Sequence, residues 1–270
     1  MIPRVPYSGD TMSRMSDGKV VPLKPLKWYR ELAASKGRLE SGAFLVEGDR
    51  AVRQIIGNHP HQIVEIVTIA ALPPVYRNYP TRFVTERQLR TICLTKTPQG
   101  PVAVVRLPAD MSSDHLPENA GAKILLLEDV QDPGNVGALI RTAAAFNFSG
   151  VIVTEKCADP FSPKCVQATA GTVLSVWLRR TDRCFQFVET LKKDEYSFVA
   201  ADLQGSEDTS ILSCRGKILL ALGNEASGLS KPMLDASDFR LRIPIVREKA
   251  ESLNVAACGA ICMYLSSRQG

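Results

Sequence analysis

KILLLEDVQDPGNVGALIRTAAAFNFSGVIVT, residues 123–154, decides the fold. It opens with the unbroken apolar run Ile124-Leu125-Leu126-Leu127 and ends in a second one at 150–153. Runs without polar alternation are what strands covered on both faces require, so strands are expected at 123–128 and 150–153. Between them, Val136, Leu139, Ile140, Ala143 and Ala144 recur at i, i+3, i+4, i+7 and i+8. That spacing predicts a helix over 136–147, with Asn135 as its N-cap. Strand, helix and strand in this order build a parallel pair.

The pattern continues with helix 163–170, strand 173–178, helix 182–193, strands 197–202 and 217–222, a short helix near 231–236 and strand 239–243. The expectation is a doubly wound parallel sheet, with ligands beyond the carboxyl ends of its strands. The chain closes on IPIVREKAESLNVAACGAICMYLSSRQ, residues 243–269, a strand end, a polar segment and a helix without charge from Asn254 to Ser267. Ser252 stands where an N-cap belongs. Ala256, Ala257, Cys258, Gly259 and Ala260 present so little side chain that other backbone must approach closely on more than one side.

Ahead of this unit, residues 25–108 alternate on a smaller scale. A helix over 25–32 is broken by Lys36, Gly37 and Arg38, a strand at 43–46 precedes a helix at 48–56, and a strand at 62–69, a helix at 85–94 and a strand at 102–105 follow. This reads as a small α/β domain. Residues 109–122, polar and aperiodic, read as a linker, and residues 1–24 as a flexible tail without the apolar core of a secretory signal.

At 270 residues and 45% hydrophobic content the chain can bury two cores. The last helix, with Asn254 and Ser266, fits protein better than lipid, so no membrane span is expected. The 7 cysteines are odd in number and lack a CxxC pair, which indicates reduced thiols in a cytoplasmic protein and no metal site. Charge is uneven: residues 24–108 carry 13 basic against 6 acidic groups, whereas 123–270 carry 17 of each. The basic excess points to a polyanion-binding module beside a neutral one, with Lys36, Arg38, Arg50, Arg53 and Arg87 as its candidate contacts, RNA contacts if the resemblance given below holds.

Three loops fall at strand ends. Glu128–Asn135 leads into the helix whose outer face, Gly137, Ala138, Arg141, Thr142 and Ala145, is too small and uncharged for water. A second copy of the chain is the expected cover; Arg141, that helix's only charge, would otherwise pair with Glu128 or Asp129. Gly223–Ser230 has two glycines for close approach to a ligand, with Asn224 and Glu225 able to order a hydroxyl. It is neither GxGxxG nor GxxxxGK[ST], which argues against a nicotinamide enzyme or a nucleotidase. The third loop is Ile243 to Asn254.

EDVQDPGNVGALIRTA, LGNEASGLS and IPI followed by SLNVAACGAI, in that order, resemble the three motifs of the SpoU (TrmH-type) branch of the SPOUT superfamily, RNA ribose 2'-O-methyltransferases. GAFLVEG at 42–48 and TPQGPVAVV at 97–105 resemble that family's substrate-binding domain of ribosomal-protein L30e type. The resemblance implies a parallel-sheet methyltransferase domain over 123–270, closed by a C-terminal trefoil knot, an exception to the usual absence of knots. It implies S-adenosylmethionine held mostly by backbone at Leu222, Gly223, Asn224, Ile243, Ser252 and Leu253, a homodimer, and RNA as substrate, ribosomal RNA ahead of transfer RNA. Catalytic positions carry over to Asn135, Arg141, Glu225, Ser252 and Asn254. A departure is Ile245-Val246-Arg247-Glu248-Lys249-Ala250, where many relatives have a glycine-containing turn. A small-molecule methyltransferase and a catalytically silent RNA-binding member of the fold are the competing readings.

Overall fold

In the computed structural model, which describes residues 24–95, 98, 100–213 and 216–267, the apolar runs of the second half become the central strands of a six-stranded sheet. The expected tail, up to residue 23, and residues 268–269 lie outside the described residues. The chain divides into two compact units at Leu107 and Pro108.

The first unit contains α1 (Leu26–Glu31), α2 (Ser35–Ser41), β1 (Ala43–Glu47), α3 (Asp49–Asn58), β2 (Ile63–Thr68), β3 (Thr81–Phe83), α4 (Glu86–Ile92) and β4 (Val102–Arg106). Its sheet runs β1-β4-β2-β3, with β4 antiparallel to both neighbours and β3 parallel to β2. Tyr29, Leu32, Leu45, Val67, Leu89 and Val104 form its core. Lys36, Gly37 and Arg38, expected to break a helix, lie inside α2. The reason is Arg38, only 3% exposed, whose Nη1 donates to the carbonyls of Leu32 (2.9 Å) and Ala33 (2.8 Å), groups left open just past the end of α1.

The second unit contains β5 (Lys123–Leu127), α5 (Pro133–Ala145), β6 (Gly150–Thr154), α6 (Pro163–Thr169), β7 (Trp177–Thr181), α7 (Cys184–Lys193), β8 (Tyr196–Ser206), β9 (Lys217–Leu222), α8 (Lys231–Ala236), β10 (Phe239–Leu241) and α9 (Val255–Ser267). The sheet order is β10-β8-β9-β5-β6-β7 and every neighbouring pair is parallel. Ile124, Leu126, Ile152, Phe198 and Leu219 on one face pack with Phe187, Val188 and Leu191 of α7 and Met233 of α8. α5 and α9 meet where a Cβ on Gly259 would strike Leu139 and Leu222. A Cβ on Gly137 would strike the backbone of Cys165 in α6, so part of the α5 face expected to meet a second copy is covered by the chain itself.

Three local expectations are corrected. Helix α5 starts at Pro133 with Asp132, not Asn135, as its N-cap; Asp132 Oδ1 accepts from the amides of Gly134 (2.5 Å) and Asn135 (3.3 Å). Likewise Ser252 lies too early to cap α9, and Asn254 Oδ1 accepts from the amides of Ala256 (2.9 Å) and Ala257 (3.3 Å). Such caps are worth about 1 kcal/mol each.

The third correction joins β7 to the expected linker. β7 lies at 177–181 instead of 173–178; of its arginines, which argue against a buried strand, Arg179 is satisfied by residues 109–122 and the Arg180 side chain by the Glu155 carbonyl (2.7 Å). Arg179 pairs with Asp110 at 2.8 Å and its Nε donates to the His115 carbonyl (2.9 Å); Trp177 Nε1 donates to the Ala120 carbonyl (3.0 Å). Arg180 N donates to the Met111 carbonyl (2.8 Å), and Met111 is itself buried. The stretch is a strap on the second unit.

Candidate active site

β5, β9 and β10 run parallel to neighbouring strands, so the loops that follow them leave the same edge of the sheet. Three polar side chains connect those loops. Asn254 Nδ2 donates to Asn135 Oδ1 (3.1 Å), and Asn135 Nδ2 donates to Glu225 Oε1 (2.9 Å). The Glu225 carboxylate also accepts from the amides of Asp132 (3.1 Å) and Gln131 (3.2 Å). Asn135, Glu225 and Asn254, distant in sequence, thereby form one chain across all three loops.

Burial pulls the Glu225 pKa upward, but the Asn135 amide and the backbone N–H groups outweigh it and hold the carboxyl below its ordinary range. Glu225 is therefore ionised at neutral pH with its acceptors occupied, which suits an anchor and not a proton acceptor. Asp132 is likewise held down, chiefly by the Gly134 amide, and its Oδ2 pairs with Lys164 at 3.3 Å.

Asn224 is also engaged inside the loop. Its backbone exchanges hydrogen bonds with Gly228 (3.0 and 2.9 Å), its Nδ2 donates to the Asp129 carbonyl (2.8 Å), and its Oδ1 accepts from Ala226 N (2.9 Å). Asn224 and Glu225, expected to order a hydroxyl, are bonded within and between the loops. Leu222 and Gly223 are buried and Ile243 and Leu253 half-buried. A Cβ on Gly223 would strike the Gly228–Leu229 backbone, so only glycine lets the loop fold back on itself there.

Arg141 and Ser252 stand apart from this frame. Both are exposed, and neither side chain forms a hydrogen bond or ion pair with a described residue. The alternative pairing of Arg141 is absent: Glu128 is bonded to Ser230, and Asp129 to Thr154 and Lys156. In the first unit Lys36, Arg50 and Arg87 are exposed, while Arg53 is held by Asp49 (2.6 Å) and lies over the Tyr76 ring. Arg38 differs from the other expected RNA contacts: it is buried, with its Nη1 on two carbonyls. Asp132 as a cap and the Glu128–Ser230 pair are not among the expected site features. Asp132 was signalled by the Asp-Pro pair, a cap followed by proline at the first helical position.

The profile of the SpoU rRNA Methylase family matches residues 122–264, more than half of the chain. The chain belongs to that family. The SpoU match contains all three loops together with α5 and most of α9, and a second profile, the MRM3-like substrate binding domain, matches residues 24–103. The chain is 28% identical over 242 residues, 88% of its length and 94% of the relative's, to the 23S rRNA (guanosine(2553)-2'-O)-methyltransferase RlmP of Bacillus subtilis. A putative RNA methyltransferase of the TrmH family from Porphyromonas gingivalis has a similar structure, with TM-score 0.76, 30% identity and coverage of 92% of this chain and 99% of that one. The SpoU methyltransferase AviRb of Streptomyces viridochromogenes, solved in complex with AdoMet, gives TM-score 0.76 at 25% identity over 90% of this chain and 96% of its own.

Proposed function

We propose that this chain transfers a methyl group from S-adenosylmethionine to a ribose 2'-hydroxyl in structured RNA, ribosomal RNA ahead of transfer RNA. The observation that carries the reading is the chain Asn254, Asn135, Glu225, which interlocks the three loops where SpoU relatives are matched. The donor fits the backbone. Gly223 is buried, and the N–H and C=O groups of Gly223, Ile243 and Leu253 form no hydrogen bond with a described residue. Buried backbone groups rarely stay unpaired, so open ones at Gly223, Ile243 and Leu253, three of the six expected positions, suit a ligand, whereas the Leu222 carbonyl is taken by Glu128 and the Asn224 N–H and C=O by Gly228.

When bound, the donor supplies an already activated methyl group. The protein's share is alignment of the hydroxyl for in-line attack. The new O–CH3 bond forms as the S–CH3 bond breaks, and the hydroxyl proton leaves to water. Arg141 has no lone pair to accept it at neutral pH. Its guanidinium instead clamps the adjacent phosphate and stabilises developing negative charge, while Ser252 sets the hydroxyl's position and Asn254, bonded to Asn135, holds the loop that carries Ser252. Lys36, Arg50, Arg53 and Arg87 contact RNA from the first unit.

The same reading includes a trefoil knot at the C-terminal segment, a homodimer through the methyl-transfer unit, and a cytoplasmic location. Ala257, Ile261 and Tyr264 form an exposed stripe along α9 beside exposed Ala145 of α5, an apolar face suited to a second copy. Six cysteines among the described residues are free thiols, and no described helix is long and apolar enough to cross a membrane.

The test is calorimetric titration with S-adenosylmethionine, then transfer of tritiated methyl to ribosomal and transfer RNA from cells lacking the protein. Saturable binding and label in a ribose of ribosomal RNA are expected. Binding without label in any RNA would favour a silent RNA-binding member.

A further inference from the structure

The catalytic reading leaves one buried carboxylate at the strand ends without a task. Glu128, 8% exposed, follows the central strand β5. Its Oε2 accepts from the Ser230 amide and its Oε1 from the Ser230 hydroxyl, both at 2.7 Å. The same hydroxyl accepts from Met233 N (3.3 Å) and so caps α8. At the other end of the loop, Glu128 N donates to the Leu222 carbonyl (2.9 Å). Loop 223–230 leaves the sheet at Leu222 and ends at Ser230, so one residue grips both of its ends.

A second grip lies next to it. Asp129 has a φ of 57°, a left-handed backbone uncommon outside glycine. Thr154 holds it there, its Oγ1 donating to Asp129 Oδ1 (2.7 Å) and accepting from Asp129 N (2.9 Å). The turned backbone presents the Asp129 carbonyl to Asn224 Nδ2 (2.8 Å).

We propose that Glu128 is a positioning residue for the methyl donor: it fixes the span of loop 223–230 through Ser230 and thereby sets donor affinity, without touching donor or RNA. The inference rests on the donor-binding reading given above. A buried carboxylate is expensive unless both oxygens are engaged, and here two charge-assisted bonds from one residue engage them. Glutamine keeps the shape, and the chelate can re-form, because the Ser230 hydroxyl accepts as well as donates.

The experiment uses the full chain and compares Glu128→Ala, Glu128→Gln, Ser230→Ala and the Glu128→Ala/Ser230→Ala pair with the unaltered protein. S-adenosylmethionine Kd is measured by calorimetry, kcat and both KM values by methyl transfer, and folding by thermal melting. Glu128→Ala is expected to raise donor Kd and KM roughly tenfold or more, the scale of one charge-assisted hydrogen bond. kcat at saturating donor and KM for RNA should change less than about twofold, glutamine should recover most of the loss, and the paired variant should bind no worse than Glu128→Ala. A lower melting temperature with unmoved donor Kd would overturn the proposal, as would equal losses in kcat and RNA KM. Should Glu128→Ala fail to fold, Ser230→Ala decides by the same two criteria. An unaltered protein that binds no donor sinks the functional reading and this inference with it; one that binds, with variants that bind equally, sinks the inference alone.

Discussion

Two groups of polar side chains come from the three motif loops and from α5, and they differ in how they are held. Asn135, Glu225 and Asn254 are tied to one another and to backbone amides across three loops, whereas Arg141 and Ser252, exposed, have no partner among the described residues. A group bonded within the protein is positioned but has little left to offer a ligand; an unbonded one keeps its full capacity. Under the proposed function, the first set would serve as the frame and the second would do the chemistry.

Arg141→Ala is the sharpest way to break that contrast. Methyl transfer at saturating donor should fall about 10²- to 10³-fold, the range for losing a preorganised donor to developing charge, with an unchanged melting temperature. Arg141→Lys should fall nearly as far, since an ammonium cannot form a bidentate clamp. If the lysine variant turns over normally with RNA bound normally, the clamp is wrong. Asn135→Ala should move both readouts: it removes a donor from Glu225 and the acceptor of Asn254. Urea unfolding should show a loss of about 1–2 kcal/mol, and activity should drop alongside it. An active-site loss with full stability would transfer Asn135 to the reacting set.

The smallest effect is electrostatic. The folded pKa of Glu225 lies below its unfolded value, so its contribution to stability is fully present above the ordinary glutamate pKa of about 4.3 and is lost as pH falls through the folded value. The stability gap between the unaltered protein and Glu225→Gln should be constant near neutrality and close in acid. Because Glu225 is exposed, the change should be modest, and a gap that widens in acid would reverse the assignment of its charge.

What was legible in the sequence follows from range. Ile124–Leu127, Lys217–Leu222 and the helical period from Val136 to Ala144 announce elements on their own, because strand and helix patterns are local. β7 is displaced from its expected place because Arg179 and Arg180 look solvent-facing until their partners come into view, Asp110 some seventy residues before Arg179 and the Glu155 carbonyl for the Arg180 side chain. α2 was lost for the same reason, since nothing near Arg38 declares that its partners are carbonyls past a preceding helix. The motifs mark the candidate residues. Which of them bind one another depends on three loops meeting, and that is fixed only by the sheet order.

The strap over β7 has a practical consequence for dissecting the protein. A shortened chain starting at Lys123, where the apolar pattern begins, would strand the Arg179 guanidinium in an apolar setting without its counter-ion and expose the outer rim of the sheet to self-association. An excised methyl-transfer half that keeps everything from Pro108 onward should express as a well-behaved particle, while one trimmed to Lys123 should precipitate.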